Sequence, residues 1–383
     1  MKKLLTLLAM LLLCAGAALA QEAAEITDQA AFAVKKPKLF LDGDLATYWS
    51  GDALEIVLPE GVPCQALYMS FFDTPPSLVV SVQGEDGSWQ KVCEQPEPYY
   101  NACVKLASGA TKLRLENARQ EAFRISEIHL FGEGELPAWV QQWQPFTGKA
   151  DLMVLASHPD DELLFMGGTI PYYAGERGKK VIVAYMTFPR QKERYNELLN
   201  GLWHCGVREY PQLSPFRDVV TRDPDAFVEK LGGEEVVMGY IVEILRKYQP
   251  DVAVTHDRDG ESGHGAHKAA SRLMREGIHL AADASYQPDK GAPWQIKKLY
   301  LHLYKENKVR MDWYQPLAAF GGKDAMTVAT EAFECHVSQV KSGTDMGSGL
   351  RRDNSSFGLW YSAVGEDVEK NDFFENIVPQ NAE

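Results

Sequence analysis

The sequence predicts an α/β protein in which an antiparallel β-sandwich precedes a mostly parallel sheet with helices on both faces. Two different patterns along the chain predict this order. Between residues 36 and 134, short stretches of alternating polar and apolar residues are separated by turns, which is typical of antiparallel sandwiches. Between residues 150 and 383, continuous apolar runs alternate with amphipathic stretches, which is typical of parallel sheets covered by helices.

The strands of the first region are predicted from a period of two in their side chains. The turn from Gly84 to Gly87 directs the chain back into a further stretch around Trp89. The alternating segments are Leu54–Leu58, Leu78–Gln83, Lys112–Glu116 and Ile125–Phe131.

The second region contains apolar segments that lack this alternation, as strands buried on both faces do. The predicted strands are 152–156, 180–186, 252–254 and 298–303. The predicted helices are 162–176, 192–203, 225–248 and a further one after Gly263. Strands separated by helices in this way predict a Rossmann-like sheet.

The connector at 135–149 contains two tryptophans and two prolines, whereas a flexible linker would be rich in glycine and serine. We therefore expect it to be packed. Trp139 and Trp143 in particular are expected to bury against the second domain.

The first twenty residues have the features of a secretory signal peptide. Lys2 and Lys3 precede an apolar run, and Ala18-Leu19-Ala20 has the small residues of a cleavage site. Because the run is short and no stop-transfer pattern follows, we expect a secreted protein (extracellular or periplasmic) and no membrane insertion.

The net charge argues against nucleic acid as a partner. Removal of Lys2 and Lys3 would change the formal charge from −14 to −16, and an acidic protein does not attract phosphate backbones.

The five cysteines that follow the signal peptide show no C-x-x-C spacing, so neither a zinc knuckle nor a redox motif is indicated. Cys93 and Cys103 are close enough in sequence to bridge neighbouring strands, whereas Cys205 and Cys335 are expected to be buried thiols.

A cluster of charges follows the first strand of the second region. In the stretch 152-LMVLASHPDDELLFMGG-168, a histidine and three consecutive acids separate two apolar runs. Adjacent carboxylates repel one another and contribute nothing to a core, although acids at a helix start are often only caps. Because ligands of parallel sheets bind where strands end and helices begin, the cluster is predicted to be functional.

A histidine pair marks a second strand end. The stretch 255-THDRDGESGHGAHKAA-270 places His264 and His267 on one helical face, and His158 and Asp161 have the same spacing. One such pair is often solvated surface, but two clusters at strand ends of one sheet support each other. Two imidazoles and a carboxylate, with one position open to water, are typical of catalytic zinc sites. We therefore predict Zn2+, or another divalent metal, at this edge of the sheet.

The two clusters also carry a family resemblance. Ala156–Glu162 closely resembles the A-H-P-D-D-E signature of the PIG-L / LmbE-like N-acetylglucosaminyl deacetylases. Gly263–His267 resembles the second signature of that family, G-H-x-x-H, and Arg194–Glu197 is similar to its R-x-x-E helix. The resemblance covers about 150 to 375 and implies a deacetylase domain at 150–383.

The resemblance implies roles for six residues. The implied metal ligands are His158, Asp161 and His267. Asp160 would be the general base that takes a proton from water, and a protonated His264 would stabilise the oxyanion and then protonate the leaving amine. Arg194 would help to hold the substrate. The implied reaction is hydrolysis of an acetamide on an N-acetylated sugar or glycan to acetate and a free amine.

The sequence departs from the family pattern in two places. Ser157 replaces the usual alanine or other small residue, and it is not expected to contact the metal. Gly265 and Ala266 stand where a Pro-Asp pair is often found, a difference that bears on substrate specificity more than on the metal. Phe333–Gln339 resembles a late motif of exported members, in which His336 either lines the cleft or anchors a loop; we favour the loop.

The first domain resembles a discoidin-like, galactose-binding-type β-sandwich. The stretch 40-FLDGDLATYW-49 resembles the opening of that fold, and 125-ISEIHLFG-132 resembles its last strand. The resemblance covers about a hundred residues and assigns no ligand residue. Such modules bind sugars or pack against a catalytic partner, and the structural role is favoured here.

Two other functions remain as alternatives. The same site could hydrolyse another small amide, such as a thiol conjugate, or the chain could bind glycans through an inactive hydrolase domain. The complete set of histidines and acids argues against inactivity. The sequence has no G-x-S-x-G motif, which argues against a serine hydrolase.

Overall fold

The structure is a computed structural model that describes residues 21–75, 77–94, 99–347 and 353–378. The predicted signal peptide lies outside the described residues, so export stays a prediction. Within the described ranges, no helix has the length and apolar character that crossing a membrane requires. The chain divides into two compact units between Val140 and Gln141.

The first unit consists of two antiparallel sheets. Five strands form one sheet in the order β1-β3-β8-β5-β6, and four form the other in the order β2-β9-β4-β7. The strands are β1 (Ala31–Phe32), β2 (Trp49–Gly51), β3 (Ala53–Val57), β4 (Cys64–Phe71), β5 (Leu78–Gln83), β6 (Trp89–Glu94), β7 (Asn101–Ala110), β8 (Lys112–Asn117) and β9 (Phe123–Phe131).

Both sheets contribute to one hydrophobic core. Leu54 and Ile56 of β3 share a buried cluster with Leu67 and Met69 of β4. The alternation that predicts strand β3 is present in its burial, because Leu54 and Ile56 are buried while Glu55 between them is exposed. The period of two therefore identifies which side chains face the core.

Two expectations for this part of the chain are corrected. Cys93 and Cys103 lie on strands of different sheets, β6 and β7, and both thiols are free. Trp139 packs against Tyr68 and Phe131 of the first unit, which is the unit that precedes the boundary. Trp139 is 46% exposed, so it is not the buried anchor that we expected.

The second unit is built on a six-stranded mixed sheet in the order β11-β10-β12-β13-β15-β14. Strands β11, β10, β12 and β13 are parallel, and β15 and β14 extend this sheet in antiparallel pairings. The strands are β10 (Leu152–Ala156), β11 (Val181–Tyr185), β12 (Val252–Thr255), β13 (Lys298–His302), β14 (Lys308–Arg310) and β15 (Ser356–Ser362).

Helices follow most of the parallel strands, as the apolar patterning predicts. They are α1 (Asp161–Leu164), α2 (Glu193–His204), α3 (Pro224–Lys230), α4 (Glu234–Tyr248), α5 (Gly265–Ala282), α6 (Ala325–Glu334) and α7 (Val337–Lys341). Five short 3-10 segments (Thr27–Gln29, Pro37–Phe40, Glu261–Gly263, Pro288–Lys290, Ala318–Phe320) and a π-helical segment (Pro171–Glu176) complete the described elements.

Every residue of β10 is buried, so both faces of the sheet are covered. Met153 and Leu155 pack into a cluster with residues of α3, α4 and α5, such as Ile241 and Leu273. The intervening Leu152 and Val154 point to the opposite face and are also inaccessible to solvent. The continuous apolar run of this strand is a consequence of that double burial.

The helix predicted over 225–248 is two helices. Gly232 and Gly233 separate α3 from α4 with φ angles of 110° and 92°, in a region that residues with a Cβ rarely adopt. The pattern of apolar residues continues across this break, which is why periodicity alone joins the two helices. Likewise, the helix predicted at 162–176 is only α1 and a separate π-helical segment.

The register of the sheet brings two loops together. Strands β10 and β12 are adjacent and parallel, with Leu155 paired to Thr255. The segments that follow them, which begin at Ser157 and His256, therefore leave the same edge of the sheet. This edge is where the sequence predicts the functional site.

Candidate active site

His158 and Asp161 are held together at the end of strand β10. His158 Nδ1 lies 3.0 Å from Asp161 Oδ2, and the backbone N–H of His158 donates to the same oxygen at 2.8 Å. On the other side of the ring, His158 Nε2 lies 3.2 Å from Asp218 Oδ1. The imidazole is thus oriented by a carboxylate at each nitrogen.

The histidine pair of helix α5 faces the same carboxylate. His267 Nε2 lies 3.2 Å from Asp161 Oδ2, so this oxygen stands between two imidazoles. His264 is the residue that caps the helix, and its Nδ1 accepts a hydrogen bond from the backbone N–H of Ala266 at 3.3 Å. The ring centroid of His264 is 5.0 Å from those of His158 and His267.

The donor set fits a divalent metal. Imidazole nitrogens and a carboxylate oxygen are the ligands that zinc accepts in catalytic sites. His158, His264 and His267 form one group whose donor atoms lie within 4.8 Å of one another. Asp161, His256 and His267 form a second such group and share His267 with the first. Neither group is the predicted set of His158, Asp161 and His267, but the two histidines of that set lie 3.0 and 3.2 Å from the same oxygen of Asp161.

In the absence of a cation, the carboxylates of this cluster favour the protonated forms of His158 and His267. Burial lowers the pKa of His158, but the charge of Asp161 and its hydrogen bonds raise it to about 9. Burial also lowers the pKa of His267, but Asp161 and Glu261 raise it to about 10. Metal ligation requires neutral imidazoles, so a cation and protons compete for the same nitrogens.

Asp160 is held in an unusual conformation beside the cluster. Its φ angle of 120° lies in the region that favours glycine. The backbone N–H of Asp160 donates to Glu162 Oε2 at 2.9 Å, and Arg194 Nη2 lies 3.2 Å from Asp160 Oδ2. Burial and the charge of Asp161 raise the pKa of Asp160 to about 7, while Arg194 opposes the rise. A carboxylate with a pKa near neutrality is suited to general-base catalysis.

The protonation of His264 differs from the sequence prediction. Burial and the nearby imidazoles of His158 and His267 lower its pKa to about 4. The arrangement therefore favours the neutral form in place of the protonated form. Because Nδ1 accepts a hydrogen bond from Ala266, the remaining ring proton is on Nε2.

All six residues predicted for the site line one pocket of about 750 Å3. The pocket is also lined by Leu164, Phe165, Asp218, Ser262, Gln339 and Thr344. The guanidinium of Arg194 already has two protein partners, the carbonyl of Pro159 and the carboxylate of Asp160. Its role in holding a substrate stays a prediction.

A buried carboxylate that the sequence analysis missed lies behind His267. Glu261 accepts hydrogen bonds from His256 and His302, and its Oε2 lies 3.0 Å from Nδ1 of His267, a third histidine. Burial raises its pKa, but the charge of His256 and these hydrogen bonds hold it well below the usual range. His256 directly follows β12, and His302 is the last residue of β13. Both could have been predicted by the same reasoning as His158, because ligand-binding residues of parallel sheets collect at strand ends.

Two residues of the motif Phe333–Gln339 have different positions relative to the pocket. Gln339 lines the pocket, whereas the His336 side chain is fully buried and its Nε2 lies 3.7 Å from Glu162 Oε1. Glu197 of the R-x-x-E stretch accepts hydrogen bonds from the backbone N–H and the hydroxyl of Ser338, at 2.7 and 2.6 Å. This contact attaches helix α7 to helix α2 and so fixes one wall of the pocket.

Histidines and carboxylates at the carboxyl ends of parallel strands are placed where α/β proteins bind ligands, and they are donors that a divalent metal accepts. Residues 153–278 match the family model described as PIG-L: GlcNAc-PI de-N-acetylase. The matched segment contains both signatures and all six predicted site residues.

Curated relatives and solved structures are similar to parts of the chain. The 1D-myo-inositol 2-acetamido-2-deoxy-alpha-D-glucopyranoside deacetylase 1 of Catenulispora acidiphila is 27% identical over 227 residues, which cover 52% of this chain and 68% of that enzyme. A deacetylase named for the same substrate from Rhodococcus opacus is 32% identical over 178 residues, 39% of this chain and 60% of that enzyme. The matched part of the chain spans 54 to 68% of the length of three such curated deacetylases. A conserved protein of Thermus thermophilus, 20% identical, aligns with a TM-score of 0.42 over 56% of this chain and 97% of that one.

Proposed function

We propose that this chain is a metal-dependent hydrolase that removes the acetyl group from an N-acetylated sugar of the N-acetylglucosamine type. The observation that carries the proposal is that His158, His267 and His264 line one pocket together with the carboxylates of Asp160 and Asp161. These are the groups that amide hydrolysis by activated water requires. The names of the curated relatives support the substrate class.

The metal would be held by His158, Asp161 and His267, and zinc is the ion that this donor set favours. When bound, such an ion lowers the pKa of a water molecule and polarises the carbonyl of the acetamide. Both histidines already face the same oxygen of Asp161, at 3.0 and 3.2 Å.

Asp160 would accept the proton of the attacking water. The water oxygen forms a bond to the acetyl carbon, and its proton moves to the Asp160 carboxylate. The bond from the acetyl carbon to nitrogen then breaks, and the proton passes to the departing nitrogen, so that acetate and an amine are released. Arg194 keeps the carboxylate in place for both transfers.

His264 would stabilise the negative charge that develops on the carbonyl oxygen. Its Nε2–H is available for this purpose, because Nδ1 is engaged by the backbone N–H of Ala266. A donor aimed at the developing oxyanion lowers the barrier without changing its own charge. The backbone N–H of Ala266 therefore orients His264.

We infer that residues 36–134 form a discoidin-like β-sandwich, supported by two antiparallel sheets that share a core, and that residues 150–383 form the deacetylase domain. We also infer export to the periplasm or the cell exterior from the first twenty residues.

The test is amine release from a panel of acetylated compounds. Metal-loaded protein is incubated with N-acetylglucosamine, an N-acetylglucosaminyl inositol, chitin oligosaccharides and an N-acetylated thiol conjugate, and new amines are detected with fluorescamine. Release from the sugars, absent in Asp160→Asn, supports the proposal. Release from the thiol conjugate alone would make the chain a different amidase, and release from none, with sugar binding retained, would make it a glycan-binding protein.

A further inference from the structure

Glu261 lies outside the proposed catalytic set. Among the carboxylates that the structure describes around the pocket, it has the most hydrogen-bond partners. The side chain is 1% exposed. Its Oε2 lies 2.7 Å from His256 Nδ1 and 3.0 Å from His267 Nδ1, and its Oε1 lies 2.7 Å from His302 Nδ1. The backbone N–H of Asp257 also donates to Oε1 at 3.0 Å.

The contact with His267 fixes which of its nitrogens can bind a metal. A carboxylate without a proton only accepts hydrogen bonds, so the Nδ1 that faces Glu261 must carry a hydrogen. The lone pair of the neutral ring is then on Nε2, the atom that faces Asp161. Without Glu261, the ring could place its hydrogen on Nε2 and present no lone pair to the metal.

The contact with His256 extends this control to the segment that carries His158. The backbone N–H of Ser157 donates to His256 Nε2 at 2.9 Å, so His256 Nδ1 carries the hydrogen that it shares with Glu261. Ser157 directly precedes His158. One carboxylate therefore holds His267 by its ring and the loop of His158 through a single imidazole.

We propose that Glu261 is the positioning residue of the metal centre, which sets the tautomer and orientation of His267 and, through His256, the distance between helix α5 and the segment that carries His158. This inference rests on the proposed function, because it assumes that the cluster binds a metal. It does not depend on which substrate is hydrolysed. Carboxylates that orient metal-binding histidines typically contribute about 10- to 100-fold to metal affinity.

A purely structural role is the competing explanation, since a buried carboxylate with several donors also stabilises a fold. His302 provides the matched control. Its Nδ1 bonds the Oε1 atom of Glu261, which is the oxygen that does not face His267. In His302→Gln, the glutamine amide occupies the position of the histidine Nε2 and does not reach that of Nδ1. The variant therefore loses a buried hydrogen bond to Glu261, while His267 keeps its contact with Glu261.

The experiment measures zinc affinity in the full chain by competition with a chelator of known affinity, for wild type, Glu261→Gln and His302→Gln. The stability of each metal-free protein is measured by thermal denaturation in excess chelator. We expect Glu261→Gln to bind zinc about 10- to 100-fold more weakly. We expect His302→Gln to remain within about threefold of wild type, even if its metal-free form loses as much thermal stability.

Glu261→Asp keeps the proposal testable if the glutamine variant does not fold, because it retains the charge but moves it one methylene from His267. We expect a smaller loss of affinity in this variant and an altered absorption spectrum of the Co2+-loaded protein. Zinc affinities within threefold of wild type in the folded Glu261 variants would overturn the proposal, as would an equal loss in His302→Gln. Neither readout uses turnover, so a failure of the proposed deacetylation would not be mistaken for a failure of this inference.

Discussion

Arg194 and Asp160 form a buried ion pair, with 3.2 Å between Nη2 of the guanidinium and Oδ2 of the carboxylate. The same nitrogen of Arg194 donates to the carbonyl oxygen of Pro159, so one side chain holds both the carboxylate of Asp160 and the backbone that precedes it. Asp160 has the φ angle of 120° described above, and a conformation of that kind persists only where neighbouring contacts hold it. The pair therefore links helix α2 to the position of the proposed base.

Replacement of Asp160 by asparagine tests the base directly. Asp160→Asn keeps the shape of the side chain but cannot accept a proton, so we expect turnover to fall by about 10²- to 10⁴-fold. The metal content should remain that of wild type, because Asp160 is not one of the predicted ligands. Steady-state kinetics and elemental analysis measure both quantities, and near-normal turnover in the variant would leave Asp160 with a structural role only.

Substitution of Arg194 separates its two possible roles. If Arg194 positions the base, Arg194→Met should lower kcat by at least about tenfold and leave KM close to wild type. If it holds the substrate, as the family resemblance implies, KM should rise while kcat changes little. Arg194→Lys is the control, since it retains the charge but not the planar group that reaches two oxygens.

The contact between Glu197 and Ser338 predicts a graded loss of stability. Glu197→Ala removes the acceptor of two hydrogen bonds, and we expect the free energy of unfolding to fall by about 1–3 kcal/mol. Ser338→Ala removes only the hydroxyl and should cost about 0.5–1.5 kcal/mol. Urea denaturation of both variants measures the difference, and a larger effect from the serine substitution would contradict this assignment.

His336 predicts a pH dependence of stability. Burial, together with the positive charge of Arg194, lowers its pKa to about 3, whereas an unfolded histidine titrates near 6.5. Between these values the unfolded chain binds the extra proton, so stability is lost as the pH falls below 6.5. For this residue alone the loss is about 2 kcal/mol between pH 7 and pH 5.

The measurement compares wild type with His336→Asn by urea denaturation at several pH values. Wild type should lose stability relative to the variant as the pH falls, because asparagine has no proton to bind. Parallel curves from pH 7 to pH 5 would show that His336 titrates normally in the folded chain.

The parts of the site that lie on strand ends were predictable from the sequence. His158 follows an unbroken apolar run, and ligand-binding residues of parallel sheets collect at that point. The prediction that His264 and His267 share one helical face was wrong in detail, because His264 is the extended N-cap of helix α5 and only His267 lies within the helix. The spacing of three residues nevertheless brings both rings to the same pocket. The pocket brings these three residues together with Asp160, Asp161 and Arg194.

The parts that depend on tertiary contacts were not predictable. Glu261 is one of three acids in the polar stretch that follows β12, and only the folded chain brings three histidines to it. The expected burial of Trp139 was wrong because its partners, Tyr68 and Phe131, belong to the first unit and leave part of the ring exposed. The break at Gly232 and Gly233 was missed because hydrophobic periodicity does not register a reversal of φ.

The proposed function requires a metal, held by His158, Asp161 and His267, that supports amide hydrolysis. The most direct measurement is titration of metal-free protein with Zn2+, with release of acetate from an N-acetylglucosaminyl substrate followed at each addition. We predict that activity is absent in chelator, rises with the metal and reaches a plateau at one ion per chain, and that His158→Ala and His267→Ala neither retain zinc nor release acetate. Wild-type rates in excess chelator, or full zinc occupancy in either variant, would contradict the account.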